Sequence, residues 1–236
     1  MAPLIITARM AGGIAHSLPW GISLDGILAS QLWHELKPSL DLPEPALDDD
    51  NPPDLDLPLA RCIPSSGPWH WAATCAWPDP IPDSFDVHYW TGRVDHRHLE
   101  HLTATLPKVV SDRQGRYRAR RMPLITTPCL TLTWHAVGDA ARIRALLADV
   151  HALGKKRSQG EGRVLSWTIT DAPQMDDFTA AHLSPTGGLG RPTPAACLAA
   201  HPNIPTGGRG LAAIRPPSMH TSRMHELLLP AAPMNL

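Results

Sequence analysis

Between residues 154 and 163 the chain reads Gly154-Lys155-Lys156-Arg157-Ser158-Gln159-Gly160-Glu161-Gly162-Arg163, with three glycines and four cations in ten positions. Glycine allows a backbone to approach a phosphate chain and turn its amides toward it, and the flanking cations neutralise the charge that follows. The segment is not a nucleoside-triphosphate loop of the G-x-x-x-x-G-K-[ST] kind, and it follows a helical pattern rather than preceding one, so nucleotide hydrolysis has no support. A tight helix-to-strand connection with solvated charges would have the same composition.

A second cluster, Asp95-His96-Arg97-His98-Leu99-Glu100-His101, suits proton transfer. An imidazole with an ordinary pKa of about 6.5 can serve as a general base or acid while a neighbouring cation stabilises developing charge. His96, His98 and His101 are the candidates. The same three could bind a metal, although no thiolate or carboxylate with recognisable ligand spacing accompanies them, and they could equally open a polar helix. Cys62, Cys75, Cys129 and Cys197 lie far apart and form no C-x-x-C pair. That spacing indicates neither a zinc site nor a disulfide framework, so reduced, packed thiols are expected, with no metal and no cofactor.

The net charge of −1 over 236 residues conceals an asymmetry. From Arg93 to Arg163 there are 14 Lys and Arg against 6 Asp and Glu, and Arg113, Arg116, Arg118, Arg120 and Arg121 fall close together. Such a density fits a polyanion, or a solvated charged hairpin. Arginines outnumber lysines 17 to 4, which favours bidentate phosphate contacts and base stacking. Seven carboxylates between Asp41 and Asp56, interleaved with prolines, read as a solvated loop or tether.

These groups need elements to hold them. Pro3 to Met10 reads as a first strand, ended by Gly12-Gly13. Leu24, Ile27, Leu28, Leu32 and Leu36 have helical spacing, with Ser23 or Asp25 as cap and Pro38 as stop. The alternating run from Trp69 to Trp77 reads as a second strand, ended by Pro78 and Pro80. Its indoles suit a core or an interface, or base stacking. Leu130 to Ala136 alternates like a half-buried strand, Gly138-Asp139 supplies a turn and cap, and Ile143, Leu146, Leu147, Val150 and Leu153 share a helical face. Val164 to Ile169 forms a last strand after the glycine-rich loop. Two strand-helix units with enough strand for an antiparallel sheet predict an α+β fold of the ferredoxin or RNA-recognition type, rather than a doubly wound parallel sheet.

No stretch is long, apolar and proline-free enough to span a bilayer, and the first residues lack the features of a secretory signal, so a cytoplasmic location is expected. The organisation predicted is a core over residues 1–170, with an acidic proline-rich loop at 38–68 and a basic thumb-like segment at 78–123. A Pro/Gly-rich C-terminal arm follows over 171–236, and Leu227-Leu228-Leu229 within it could dock on a partner.

Three features in order carry a resemblance: Leu24-Asp25-Gly26-Ile27-Leu28-Ala29 after the first strand, Gly154-Lys155-Lys156-Arg157 with Gly160-x-Gly162 before the last, and Arg215-Pro216-Pro217 further on. Together they resemble the RAMP superfamily of CRISPR proteins, and within it the Cas-five-type subunit of type IV effector complexes. The resemblance implies a RAMP ferredoxin-like core and a non-enzymatic subunit that grips the repeat-derived 5′ handle of a guide RNA and caps one end of a backbone filament. Its partners would be that RNA, the backbone-forming RAMP subunits and other type IV subunits, with target nucleic acid reached through the complex and no membrane. The 154–163 loop would lie against RNA, with Arg116, Arg118, Arg120 and Arg121 lining the adjacent path and Arg215 reaching it from the arm. At Glu161 the sequence departs from the aromatic or apolar residue the family pattern would favour. The alternatives are a metal-independent endoribonuclease acting on the CRISPR repeat through His96, His98 or His101, and a protein-interaction module whose basic face binds an acidic partner.

Overall fold

The computed structural model describes residues 1–37, 52–92, 95–101, 104, 111, 113–114 and 118–232, with backbone alone at 96, 98 and 99. These form two compact units, one of Met1–Ser84 with Thr127–Leu236 and the other of Phe85–Thr126.

The first unit is built on strand β1 (Ala2–Met10), which sends Leu4, Ile6, Ala8 and Met10 to one buried face by simple alternation. Helix α1 (Leu24–Leu36) follows, and the Ser23 hydroxyl accepts from the Gly26 amide, a cap worth about 1 kcal/mol. Next come the two-residue strands β2 (Arg61–Cys62) and β3 (His70–Trp71), paired with each other, and then the short β4 (Trp77–Asp79). Later in the chain β7 (Thr131–Gly138) leads into helix α3 (Ala140–Leu147), where the Asp139 carboxylate accepts from the Ala141 and Arg142 amides. Strand β8 (Val164–Asp171) completes the sheet.

The sheet order is β4-β7-β1-β8 with every neighbour antiparallel, and β1 registers Ile6 against Trp134 on one side and against Ile169 on the other. This α+β arrangement, with α1 after β1 and α3 between β7 and β8, is compatible with a ferredoxin-like core. The strands alternate rather than running continuously apolar, which is why an antiparallel sheet forms. Leu24, Ile27 and Leu28 of α1 and Ile143, Leu146 and Leu147 of α3 close over the buried face, around a fully buried Trp134. Its indole Nε1 donates to the Ile22 carbonyl at 2.9 Å, so the polar end of a large core residue is satisfied.

The opposite face of β7 is covered by the C-terminal region. Helix α4 (Asp177–His182) packs Ala180 and Ala181 against Val137, and His135 Nδ1 donates to the Leu183 carbonyl at 3.0 Å. The region expected as an extended arm is thus folded: it carries α4, a 3-10 turn at Ala195–Leu198, and the hairpin of β9 (Arg209–Ala213) with β10 (Met224–Leu228). Leu227, read as a docking residue, is buried with Ile214 and Ala212 instead, packed by Trp20 and Leu229. The end of the acidic tract is anchored as well. Asp54 pairs with Arg215 at 2.9 Å and with the buried Arg223 at 3.0 Å. Residues 41–51 lie outside the described residues.

The second unit is a hairpin of β5 (Asp86–Gly92) and β6 (Arg120–Thr126), registered from Asp86 opposite Thr126 to Gly92 opposite Arg120, with the short helix α2 (His96–His101) between them. No helix among the described residues is long and apolar enough to cross a membrane.

Candidate functional site

The structure brings two cysteines and two histidines from four elements to one point. Cys62 lies in β2 directly opposite His70 in β3, His182 ends α4, and Cys197 sits in the 3-10 turn at Ala195–Leu198. Their Sγ and Nε2 atoms all lie within 4.8 Å of one another. Cys62 Sγ is 3.5 Å from His182 Nε2, Cys197 Sγ is 3.6 Å from His70 Nε2, and the two sulfurs are 3.8 Å apart. Both imidazoles are buried, and the two thiols are half-buried.

Each ring is held from behind. His70 Nδ1 donates to the Trp71 carbonyl at 2.9 Å and His182 Nδ1 to the Phe178 carbonyl at 3.0 Å, which leaves both Nε2 lone pairs aimed at the sulfurs. The rings cross nearly at right angles, at 86°, while Phe178 stacks on His182 at 4.7 Å. Burial lowers the His70 pKa below its ordinary value, and the cationic Arg191 adds to the effect, so the ring is neutral. The hydrogen bond between Cys62 and Cys197 pulls the Cys62 thiol down and pushes Cys197 up. The other two cysteines behave differently: burial raises Cys75 to about 12 and Cys129 to about 11, and both stay inert thiols.

Behind His70 lies a buried clamp. Arg191 is 2% exposed and donates to the Trp71 carbonyl at 2.5 Å, to Ala73 at 2.7 Å and to Ile214 at 2.8 Å, and it faces Asp25 at 3.3 Å. Asp25, read as a possible helix cap, therefore ties the start of α1 to the C-terminal region. Removing one partner of such a pair costs about 3–5 kcal/mol, because the other charge is left buried.

All four cysteines are free thiols, as expected, but Cys62 and Cys197, far apart in sequence, meet in this cluster. The sequence concealed the cluster because Cys62 and Cys197 are 135 residues apart. Its visible traces were C-x7-H around a turn and, far downstream, H-x14-C.

The glycine-rich loop joins α3 to β8. Its base is a short ladder, with the Leu153 amide donating to the Gly162 carbonyl at 2.8 Å and Val164 donating to His151 at 2.9 Å. Gly154, Gly160 and Gly162 all have positive φ, as does Lys156 at 58°. A Cβ on Gly154 would meet the Ala15 carbonyl oxygen at 2.2 Å and one on Gly162 the Leu153 oxygen at 1.9 Å, so these two glycines are needed for close backbone packing. Gly160 instead faces open space. Lys155, Lys156, Arg157 and Ser158 are exposed on the loop, and Arg163 is exposed just beyond it.

The remaining candidates are dispersed. Arg118, Arg120 and Arg121 are exposed in the second unit, with the Arg121 guanidinium 4.0 Å over the Tyr89 ring. Arg116 lies outside the described residues. Arg215 is occupied by Asp54 and stacks 4.3 Å over Trp69. His96 and His101 bound α2, with His98 between them; His101 is exposed. Trp71, a candidate stacking residue, is core at 3% exposure. No family model matches the chain, and no curated protein matches it.

Proposed function

We propose that this protein is a non-catalytic, RNA-binding subunit of a type IV CRISPR ribonucleoprotein complex, with a RAMP-type core that grips the 5′ handle of the guide RNA and caps the backbone filament. The observation that carries this reading is the α3-to-β8 loop, which holds Lys155, Lys156 and Arg157 exposed on a base fixed by a backbone ladder and two obligatory glycines. A polyanion gains most from cations already in position, because little side-chain and loop entropy is lost on binding. The sheet order and the two split strand-helix units support the same reading. The bound form would pair the loop with handle phosphates, while neighbouring RAMP subunits continue along the RNA.

The test is to purify the protein with the products of its neighbouring genes and sequence the RNA that stays bound. Short RNAs with one shared repeat-derived 5′ end are expected. Heterogeneous RNA, or none, overturns the guide-binding reading. Incubation with a repeat-containing transcript in chelator separates the endoribonuclease: an intact transcript is expected, and cleavage that disappears in His101→Ala would make this protein an enzyme.

A further inference from the structure

We propose that Cys62, His70, His182 and Cys197 form a zinc site that fastens the C-terminal region to the core, a property independent of the RNA-binding reading. A tetrahedral zinc ion with Zn–S near ~2.3 Å and Zn–N near ~2.05 Å requires its ligands to stand about 3.8 Å apart for a sulfur pair and about 3.5 Å for a sulfur–nitrogen pair. Three of the six separations match these values, at 3.8 Å for Cys62 with Cys197, 3.5 Å for Cys62 with His182 and 3.6 Å for Cys197 with His70, and the other three pairs lie within 4.8 Å. Two sulfurs and two nitrogens in this geometry select zinc over hard, oxygen-seeking cations.

Two further features fit a metal ligand set. The histidines present their Nε2 atoms and bond backbone carbonyls through Nδ1, the support that orients ligating imidazoles. The charge also balances: on binding, Zn²⁺ displaces the two thiol protons to water, the two thiolates cancel the dication, and the ligating neutral imidazoles add none. A neutral centre is tolerable beside the buried guanidinium of Arg191, where an unneutralised dication is not. Four protein ligands leave no open position for substrate, so the metal is structural and does no catalysis. Its mechanical consequence follows from the topology. Cys62 and His70 belong to the β2–β3 hairpin and His182 and Cys197 to the C-terminal region, so the ion adds a cross-link to segments that also meet through the Arg191 clamp, the Arg215 contacts with Asp54 and Trp69, and small apolar contacts.

The full chain, expressed and purified without added chelator, is assayed for metal by mass spectrometry of the elements. Equimolar zinc is expected. Exchange into Co²⁺ should give the intense d–d bands of a tetrahedral site with thiolate-to-cobalt charge transfer, both absent in Cys62→Ala and in Cys197→Ala. His182→Cys, which keeps a zinc donor, should retain the metal. Stripping the wild type with a strong chelator should lower Tm by about 8–16 °C, the shift for a ligand held at a thousandfold above its Kd in a chain of this size. Folded wild-type protein that carries no zinc and takes up no cobalt overturns the proposal, as does an intact mass two hydrogens below the reduced chain, which would mean a Cys62–Cys197 disulfide. Because the metal content and the cobalt spectrum are read on the wild type, the outcome stands even where a variant does not fold.

Discussion

The Cys/His cluster and the glycine-rich loop both place charged or ionisable groups at fixed points, but they do so by opposite means. In the cluster, four side chains from distant positions converge inward, and their donors are satisfied by one another and by backbone carbonyls. In the loop, neighbouring side chains diverge outward from a short closed ladder, and the rigidity resides in the backbone. A convergent site holds the fold together and is sensitive to the fold. A divergent one presents charge and depends on its fold only at its base. The two regions should therefore separate stability from binding.

The sharpest separation comes from reversing Lys155, Lys156 and Arg157 to Glu together. RNA affinity should fall about 100-fold or more, while Tm, followed by circular dichroism, stays within about 1 °C of wild type, since these side chains are exposed. Retained binding, or a large loss of stability, would collapse the distinction between the regions. Loss of the metal ligands should act in the opposite sense, lowering Tm and leaving the RNA affinity of the still-folded fraction unchanged.

A smaller effect divides the loop itself. Gly162→Ala should destabilise by about 2–3 kcal/mol, from left-handed strain added to the collision with the Leu153 carbonyl. Gly160→Ala has the same strain without a neighbour and should cost about 1 kcal/mol. Denaturant midpoints at constant m measure both. Equal costs would mean that the base of the loop is not the rigid part.

The smallest effect is a pH dependence at two histidines, His135 away from both regions and His16 beside the loop. Burial lowers the pKa of His135, and of His16 with the Lys155 cation acting in the same direction. A histidine with a depressed folded-state pKa takes up its proton more readily when unfolded. Stability is thus fully present above the unfolded value of 6.5 and declines as pH falls through it. Denaturation curves between pH 7.5 and 5.5 should show this decline, less steep in His135→Gln. A flat profile would remove burial of these two rings from the account.

Local signals made much of the sheet legible. Ser23, Asp139 and the alternation of Leu4, Ile6 and Ala8 act within a few residues, so they can be read without the fold. The C-terminal region was not legible, because its order derives from long-range partners: Arg191 needs Asp25 and the Trp71 carbonyl, and Thr193 pairs with Leu228. The cluster was hidden for the same reason, since C-x-x-C spacing is the signature of ligands supplied by one turn and this site takes each pair from separate structures. The loop was located correctly from its glycines and cations. Gly154 and Gly162 let the chain approach its own backbone at Ala15 and Leu153, as in the tight helix-to-strand connection the sequence also allowed.

The 135 residues between Cys62 and Cys197 also impose an order in time. On a ribosome adding roughly 5–20 residues per second, roughly 7–27 s pass between the appearance of the first sulfur and the last. During that interval Cys62 and His70 lack their partners from the C-terminal region, and the Cys62 thiol can meet oxidants, other thiols or passing ions. Closure waits for the segment around residues 182 to 197, so the quality of the finished molecule is decided late in its synthesis and by the thiol chemistry of the compartment where that synthesis occurs.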